Sequence, residues 1–344
     1  TLRKSSNILN KSQDIQAVLL HGAVGLGIWE ALYDAARAAL CEAPLAAASP
    51  QLGMWQDVGL KACGHCAACR LMAAGTHPDL RILVPDALLP ELGVSTQESS
   101  EVPVASEKRA PSKEIGIDAI RGLVEWAHGT SHRGGSKVAV IYPLDAMALP
   151  AANAMLKTLE EPPPGLYFFM GTHRQDRVLP TIRSRCRLMT MPRPGRAEAM
   201  QFLQSREFAN AEQVADWCRN AVHDTEPQRG MEWARKMLAA VLSGQGSVTA
   251  AEAGPVPAMP AAVAALQKIS VDLMRVRLGL GPVYMPSEKA ALEQLATMAE
   301  ARPLQAFWQR LTTLSSTANF PLHAALASES LVLEFKQLFM RSAH

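Results

Sequence analysis

The strongest chemical signal in this sequence is a cluster of cysteines. Cys63, Cys66 and Cys69 form two overlapping C-x-x-C spacings. Thiolates at that spacing converge from one tight turn onto a single tetrahedral Zn²⁺, and Gly64 eases the turn. A fourth ligand is needed to close the site. Cys41 lies 22 positions before Cys63, at the end of an expected helix, and is the best placed; His65 and His77 compete with it. A closed four-thiolate site is structural, because a catalytic zinc keeps one position open. The bland alternative is three reduced cysteines without metal. The chain has six cysteines, three of them within seven residues, which is not the distribution of a disulfide framework and points to a reducing cytosol. Cys186 and Cys218 read as buried apolar fillers.

A second stretch has the outline of phosphate chemistry without its working groups. A P-loop reads G-x-x-x-x-G-K-[ST], with backbone N–H groups and a lysine on the phosphates and a hydroxyl on magnesium. In His21–Trp29, Gly22 and Gly27 have that spacing and Gly25 adds backbone freedom. The next two positions hold Ile28 and Trp29, which supply neither the charge nor the magnesium ligand. An ordinary glycine-rich turn between strand and helix is the simpler alternative. The acids that hold magnesium at the end of a later strand are also missing: Val138–Ile141 runs into Tyr142-Pro143-Leu144, and Asp145 comes three residues late. Asp145 is expected to cap the next helix.

The elements that must position these groups follow from periodicity. Short apolar runs at 17–20, 80–84, 138–141, 166–170 and 187–191 read as five buried strands. Helical spacing covers 30–40, 114–127, 148–160 and 179–184, and Pro162-Pro163-Pro164 stops the third of these. Residues 91–113 are rich in Ser, Glu and Pro and read as a long mobile loop. Residues 197–202, 212–219 and 231–241 read as helices, 243–262 as a Gly/Ala/Pro linker, and the chain from about Val263 as helical to its end. The 344 residues carry a net charge of +2 with 48% apolar content, which excludes a protein whose main feature is a basic surface. No run of about 18 apolar residues marks a membrane span. The first residues have no apolar signal core, and the absence of an initiator Met before Thr1 reads as a trimmed or altered start.

The order of these features carries a resemblance. The Gly22–Gly27 loop, the four cysteines, Asn153-Ala-Met-Leu-Lys-Thr-Leu-Glu-Glu-Pro-Pro163 and Ser184-Arg185-Cys186 together resemble the AAA+ clamp-loader subunits of bacterial DNA polymerase III over residues 17–193. The resemblance implies an α/β AAA+ P-loop-type module, a five-stranded parallel sheet with an inserted zinc module at about 41–69, over residues 1–193. An all-α lid over 194–255 and an all-α collar or oligomerisation domain over 256–344 would follow. It implies that Arg185, flanked by Arg183 and Arg187, is an arginine finger acting in trans on a neighbour's ATP. Such a finger contributes about 10³ to 10⁵ in rate, or roughly 4–7 kcal/mol of barrier. Thr172 matches a sensor position. The zinc module of the family has a shorter gap before its C-x-x-C-x-x-C, so the longer gap here counts against Cys41.

The expected function is a non-hydrolysing clamp-loader subunit that binds structural Zn²⁺ through Cys41, Cys63, Cys66 and Cys69 and no ATP of its own. The implied partners are ATPase subunits and a delta subunit in a hetero-pentameric ring, and through them the sliding clamp and primer-template DNA. No membrane is involved, and the setting is a bacterial cytoplasmic replisome. Two other classes remain. An active ATPase with unusual ligands would need another lysine, and Lys137 and Lys157 are poorly placed. A zinc-dependent nucleic-acid-binding protein is permitted by the cysteines but disfavoured by the near-neutral charge.

Overall fold

The computed structural model describes residues 16–46, 60–94, 111–208, 210–223, 227–243, 257–315 and 324–339. The chain divides into two compact units, Thr1–Pro192 and Arg193–His344.

The first unit is built on β1 (Ala17–His21), α1 (Ile28–Leu40), a small ladder of β2 (Leu45–Ala46) and β3 (Leu60–Lys61), α2 (Ala67–Ala73) and β4 (Leu80–Leu83). There follow α3 (Leu89–Leu92), α4 (Ile117–His128), β5 (Lys137–Ile141), α5 (Leu149–Glu160), β6 (Leu166–Thr172), α6 (Pro180–Arg183) and β7 (Arg187–Thr190). The five longer strands form one parallel sheet in the order β4-β5-β6-β1-β7, with Leu19 of β1 level with Met170 on one side and Leu188 on the other. Parallel sheets need crossover helices on their faces, so central strands are apolar on both sides. β5 is buried at every position, including Lys137. That ammonium reaches the carbonyls of Trp126 and Gly129 (2.9 Å to the latter) at the end of α4, where the helix dipole favours a cation.

Alternation sorts the sheet residues between its faces. Leu19, Ala139, Ile141, Phe168 and Met170 pack with Ile120 and Leu123 of α4 and with Met155 and Leu159 of α5. The opposite face is covered by α1. Its approach is close because Gly171 has no side chain: a Cβ there would lie 2.6 Å from both Ile28 Cγ2 and Leu32 Cδ1. The expected strands and helices of this unit are present within a few residues. The expected loop at 91–113 opens with the last residues of α3; its 95–110 portion lies outside the described residues.

The second unit contains α7 (Arg196–Ser205), α8 (Ala211–Trp217), α9 (Pro227–Leu242), α10 (Met259–Arg277), α11 (Lys289–Met298), α12 (Ala301–Ser315) and α13 (Ala324–Gln337). One apolar core draws residues from α7 through the end of α13, among them Leu203, Trp217, Met237, Leu266, Leu295, Leu311 and Phe335. The expected boundary at 255/256 lies outside the described residues. Helix α10 begins four residues earlier than the sequence reading placed it. Pro260 was read as a linker residue, but it stands in the first turn, where a proline costs no hydrogen bond. Among the described residues, no helix is long and apolar enough to cross a membrane.

Gly171→Ala is expected to lower the unfolding free energy of the first unit by about 1–3 kcal/mol, the usual cost of overpacking a closed core. Urea denaturation would show it as a lower midpoint at unchanged slope.

Candidate functional site

Strand β1 delivers the chain to Gly22 at the carboxyl end of the sheet, where doubly wound folds bind their ligands. Gly25 (φ +80°) and Gly27 (φ +79°) adopt the left-handed conformation, and Gly27 caps α1. The P-loop outline is thus present as backbone. Its two terminal side chains are turned to a different purpose. Ile28 is 1% exposed and Trp29 is 8% exposed. The Trp29 ring stacks on Tyr33 at 5.7 Å and tilts against Tyr142 at 5.9 Å. Tyr142 is the residue standing where the magnesium-binding acids of an ATPase would follow β5. The positions that lack the hydroxyl and the acid therefore touch each other.

Tyr142 is held in place by His173. Its hydroxyl lies 2.6 Å from His173 Nε2, while His173 Nδ1 lies 3.2 Å from the Gly22 carbonyl oxygen. That carbonyl only accepts, so Nδ1–H donates to it and Nε2 accepts from the phenol. Burial pushes the Tyr142 phenol above its ordinary value, and the Glu30 and Asp145 carboxylates push it further, so it stays a neutral donor. Asp145 does not cap α5, contrary to expectation. The cap position is Ala148, with no side-chain bond, and Asp145 Oδ1 instead accepts from the Thr172 hydroxyl at 2.6 Å. Thr172 is fully buried and also accepts from the Arg174 N–H at 3.0 Å. Lys137 is committed to the end of α4, and Lys157 is exposed on α5.

The cysteine cluster forms where α1 ends and α2 begins. Cys41 follows the last turn of α1, and the side chain of Cys66 caps α2 by accepting from the Cys69 N–H at 3.4 Å. The four sulfurs of Cys41, Cys63, Cys66 and Cys69 all lie within 4.8 Å of one another. Three of the separations are 3.7, 3.8 and 3.9 Å. A tetrahedral zinc at about 2.3 Å from each sulfur sets an edge of about 3.8 Å, so the donor set fits that ion. Backbone N–H groups of Cys63 and Cys66 also point at Cys41 and Cys63 sulfurs, at 3.3 and 3.4 Å. Burial raises the Cys66 thiol, but the N–H groups of Cys69 and Glu42 and the neighbouring thiols outweigh it and bring it to about 6. Cys69 is pushed up to about 12, first by burial and then by its neighbours. A cluster that makes one thiolate easy and the next difficult is one that a cation would complete. His65 turns away, with Nδ1 against the Cys63 carbonyl at 2.9 Å, and His77 is buried with Nδ1 accepting from the Asp79 N–H at 3.2 Å. Neither histidine joins the sulfurs.

Arg185 lies at the other end of the sheet, two residues before β7. Its Nε donates to Glu160 Oε1 at 2.8 Å, Nη2 meets the same oxygen, and Nη1 donates to the Thr181 carbonyl at 2.8 Å. Arg183 reaches the Gln175 carbonyl at 3.5 Å, and Arg187 is exposed. Cys186 is partly buried, and burial pushes its thiol up to about 12.

A family model described as DNA polymerase III, delta subunit, matches residues 1–195, more than half of the chain. This chain belongs to that family. A delta′ subunit of DNA polymerase III from Pseudomonas aeruginosa is 35% identical over 198 residues, covering 58% of this chain and 49% of that one. The delta′ subunit from Escherichia coli is 36% identical over 191 residues, covering 56% and 46%. The delta′ subunit from Bacillus subtilis is 26% identical over 230 residues, covering 66% and 58%. The chain spans about half the length of the first two relatives. The match falls on the delta′-like AAA+ module, which carries the loop, the cysteine cluster and Arg185.

Two groups in this delta′-like module escaped the sequence reading. In the sequence Tyr142 marks only a missing acid and His173 carries no signal; no local spacing marks Tyr142 as a contact of Trp29 or His173 as a partner of Tyr142. Glu160 was read as part of a motif and not as the partner of Arg185.

Trp29→Ala should cost about 3–5 kcal/mol of stability, the range for emptying a large aromatic site in a core. Thermal unfolding of the purified chain measures it. Metal analysis of protein prepared without chelator should give one zinc per chain. Cys41→Ser should weaken that zinc by more than the roughly 10- to 100-fold typical of losing an outer-shell partner. Acidification should release the metal, because protons compete for the thiolates.

Proposed function

We propose that this chain is a non-hydrolysing member of the DNA polymerase III clamp loader, one that leaves its own nucleotide pocket closed and lends Arg185 to a neighbour's ATP. What supports this reading is the burial of Ile28 and Trp29 and the contact of Trp29 with Tyr142. Phosphoryl transfer needs a lysine, a magnesium ligand and a positioned acid. Apolar and aromatic groups occupy all three places.

The placement of Arg185 supports the second half. The strands are parallel, so the loop after β1 and the arginine before β7 lie at opposite ends of the sheet. A strand of five residues spans about 16 Å. A molecule with a nucleotide-pocket face at one end and a cation at the other is suited to head-to-tail contacts. Such heterologous contacts close into rings when the rotation allows. A guanidinium brought to a neighbour's γ-phosphate neutralises the charge that develops in transfer. In this reading the ring contains ATPase subunits and a delta subunit, and it opens a sliding clamp for loading on primed DNA. The cysteine cluster holds a structural Zn²⁺ that supplies folding free energy to a short excursion. The helical second unit serves as lid and collar.

A hydrolysing ATPase is the weaker reading, because neither Lys137 nor Lys157 is positioned to replace the missing lysine. In the reassembled clamp loader, Arg185→Ala should leave subunit assembly intact and lower clamp- and DNA-stimulated ATP turnover by tenfold or more. Unchanged turnover in an intact complex would refute the finger role.

A further inference from the structure

Arg185 does not project freely. Each of its three guanidinium nitrogens has a partner within the same chain, and two of them share one oxygen. Nε and Nη2 both meet Glu160 Oε1, and Nη1 meets the Thr181 carbonyl. The two partners come from different elements. Glu160 is the last residue of α5, and Thr181 lies within α6. Both elements are fixed from beneath: Leu159 and Ile182, at 4% and 1% exposure, are buried in the same apolar core. The anchors of the arginine are therefore rigid even though the ion pair itself is partly exposed.

The hydrogen count shows what this leaves available. A guanidinium carries five N–H groups. Glu160 takes the edge formed by Nε and one hydrogen of Nη2, and Thr181 takes one hydrogen of Nη1. One hydrogen of Nη2 remains, and the second hydrogen of Nη1 meets only Ser184 Oγ, at a long 3.4 Å. A pair of N–H groups on adjacent nitrogens is the fork that grips two oxygens of a phosphate. Arg185, Glu160, Ser184, Arg187 and Gln16 all line one cavity of about 600 Å³ at this end of the sheet.

We infer that Glu160 is a positioning residue for Arg185: its carboxylate holds one edge of the guanidinium so that the outer fork is presented, ready oriented, to a phosphoryl group of a nucleotide bound by the adjoining subunit. This rests on the finger reading above and deepens it. The physical basis is preorganisation. An unpaired arginine loses rotamer freedom each time it engages, whereas one already fixed by two rigid anchors loses little. Glu160 touches neither nucleotide nor water in this role; it acts only through Arg185. Among the described residues its carboxylate pairs with Arg185, and Arg187 is the other cation on the cavity wall.

The test is a double-mutant cycle in the reassembled clamp loader, with ATP turnover as the readout. Glu160→Ala should lower kcat about three- to tenfold at nearly unchanged KM for ATP, since the lost orientation matters most where charge develops. Glu160→Gln keeps an oxygen that accepts the same two bonds and should recover turnover to within about twofold of the parent. In an Arg185→Ala background, Glu160→Ala should have no further effect. Subunit assembly and thermal unfolding of each variant should match the parent. If Arg185→Ala lowers turnover but the two substitutions are additive, or Gln fails to rescue, Glu160 has only a structural role and this inference falls while the finger reading stands. If Glu160→Ala raises turnover, the pair is a restraint and not a holder, and the inference is overturned. If Arg185→Ala has no effect, the finger reading itself fails.

Discussion

The contact between Trp29 and Tyr142 is the constraint on which the reading of this protein depends. Each residue stands at a position where a nucleotide-hydrolysing relative of this fold needs a polar group. Replacing one alone would leave a hole or an unpaired polar atom in a pocket built for a triphosphate. With Trp29 and Tyr142 at both positions, two aromatic rings meet at 5.9 Å. Such ring pairs contribute about 0.5–1.5 kcal/mol beyond their burial. His173 ties the pair to the loop carbonyl of Gly22, so the polar tip of Tyr142 is satisfied. Gly171 completes the arrangement by letting α1 sit against β6. The phosphate loop survives as a scaffold because its glycines set the path from β1 into α1, and that path is needed whether or not a ligand is bound.

The cysteine excursion solves a different problem. Between α1 and β4 the described residues form a two-residue ladder, one short helix and a small apolar cluster around Cys41, Ala68, Cys69 and Met72. A small cluster of this kind offsets little of the conformational entropy of ordering the residues around it. Four thiols gathered to tetrahedral spacing provide the missing cohesion once a divalent cation joins them. The excursion and the Trp29–Tyr142 contact are joined through α1. Its first turn buries Ile28 and Trp29, Tyr33 of the same helix donates to the Met72 carbonyl of α2 at 3.2 Å, and Cys41 follows its end in the sulfur cluster.

Much of this was legible in the sequence, and the limit is physical. The strands could be read because central strands of a parallel sheet are unbroken apolar runs between turn residues. The cysteine set could be read because metal ligands repeat at spacings fixed by a tight turn, with only the choice among Cys41, His65 and His77 left to the structure. Ile28 and Trp29 could be recognised as departures from a motif, but their packing against Tyr142 could not, since the two segments are far apart in the chain. Asp145 was misread for a related reason. A carboxylate before a helix looks the same whether it caps that helix or accepts from a distant hydroxyl, and here Thr172 takes it. The Glu160–Arg185 pair joins the ends of two helices whose mutual placement depends on the whole sheet.

The claim tested most directly is that this chain has closed its own nucleotide site. Titration of the isolated, zinc-loaded chain with Mg-ATP by calorimetry, with Trp29 fluorescence followed on the same sample, addresses it. The account predicts no saturable heat and no change at Trp29 up to millimolar nucleotide. Saturable binding in the micromolar range, with the Trp29 signal shifting in parallel and both lost on Gly27→Val substitution, would contradict it.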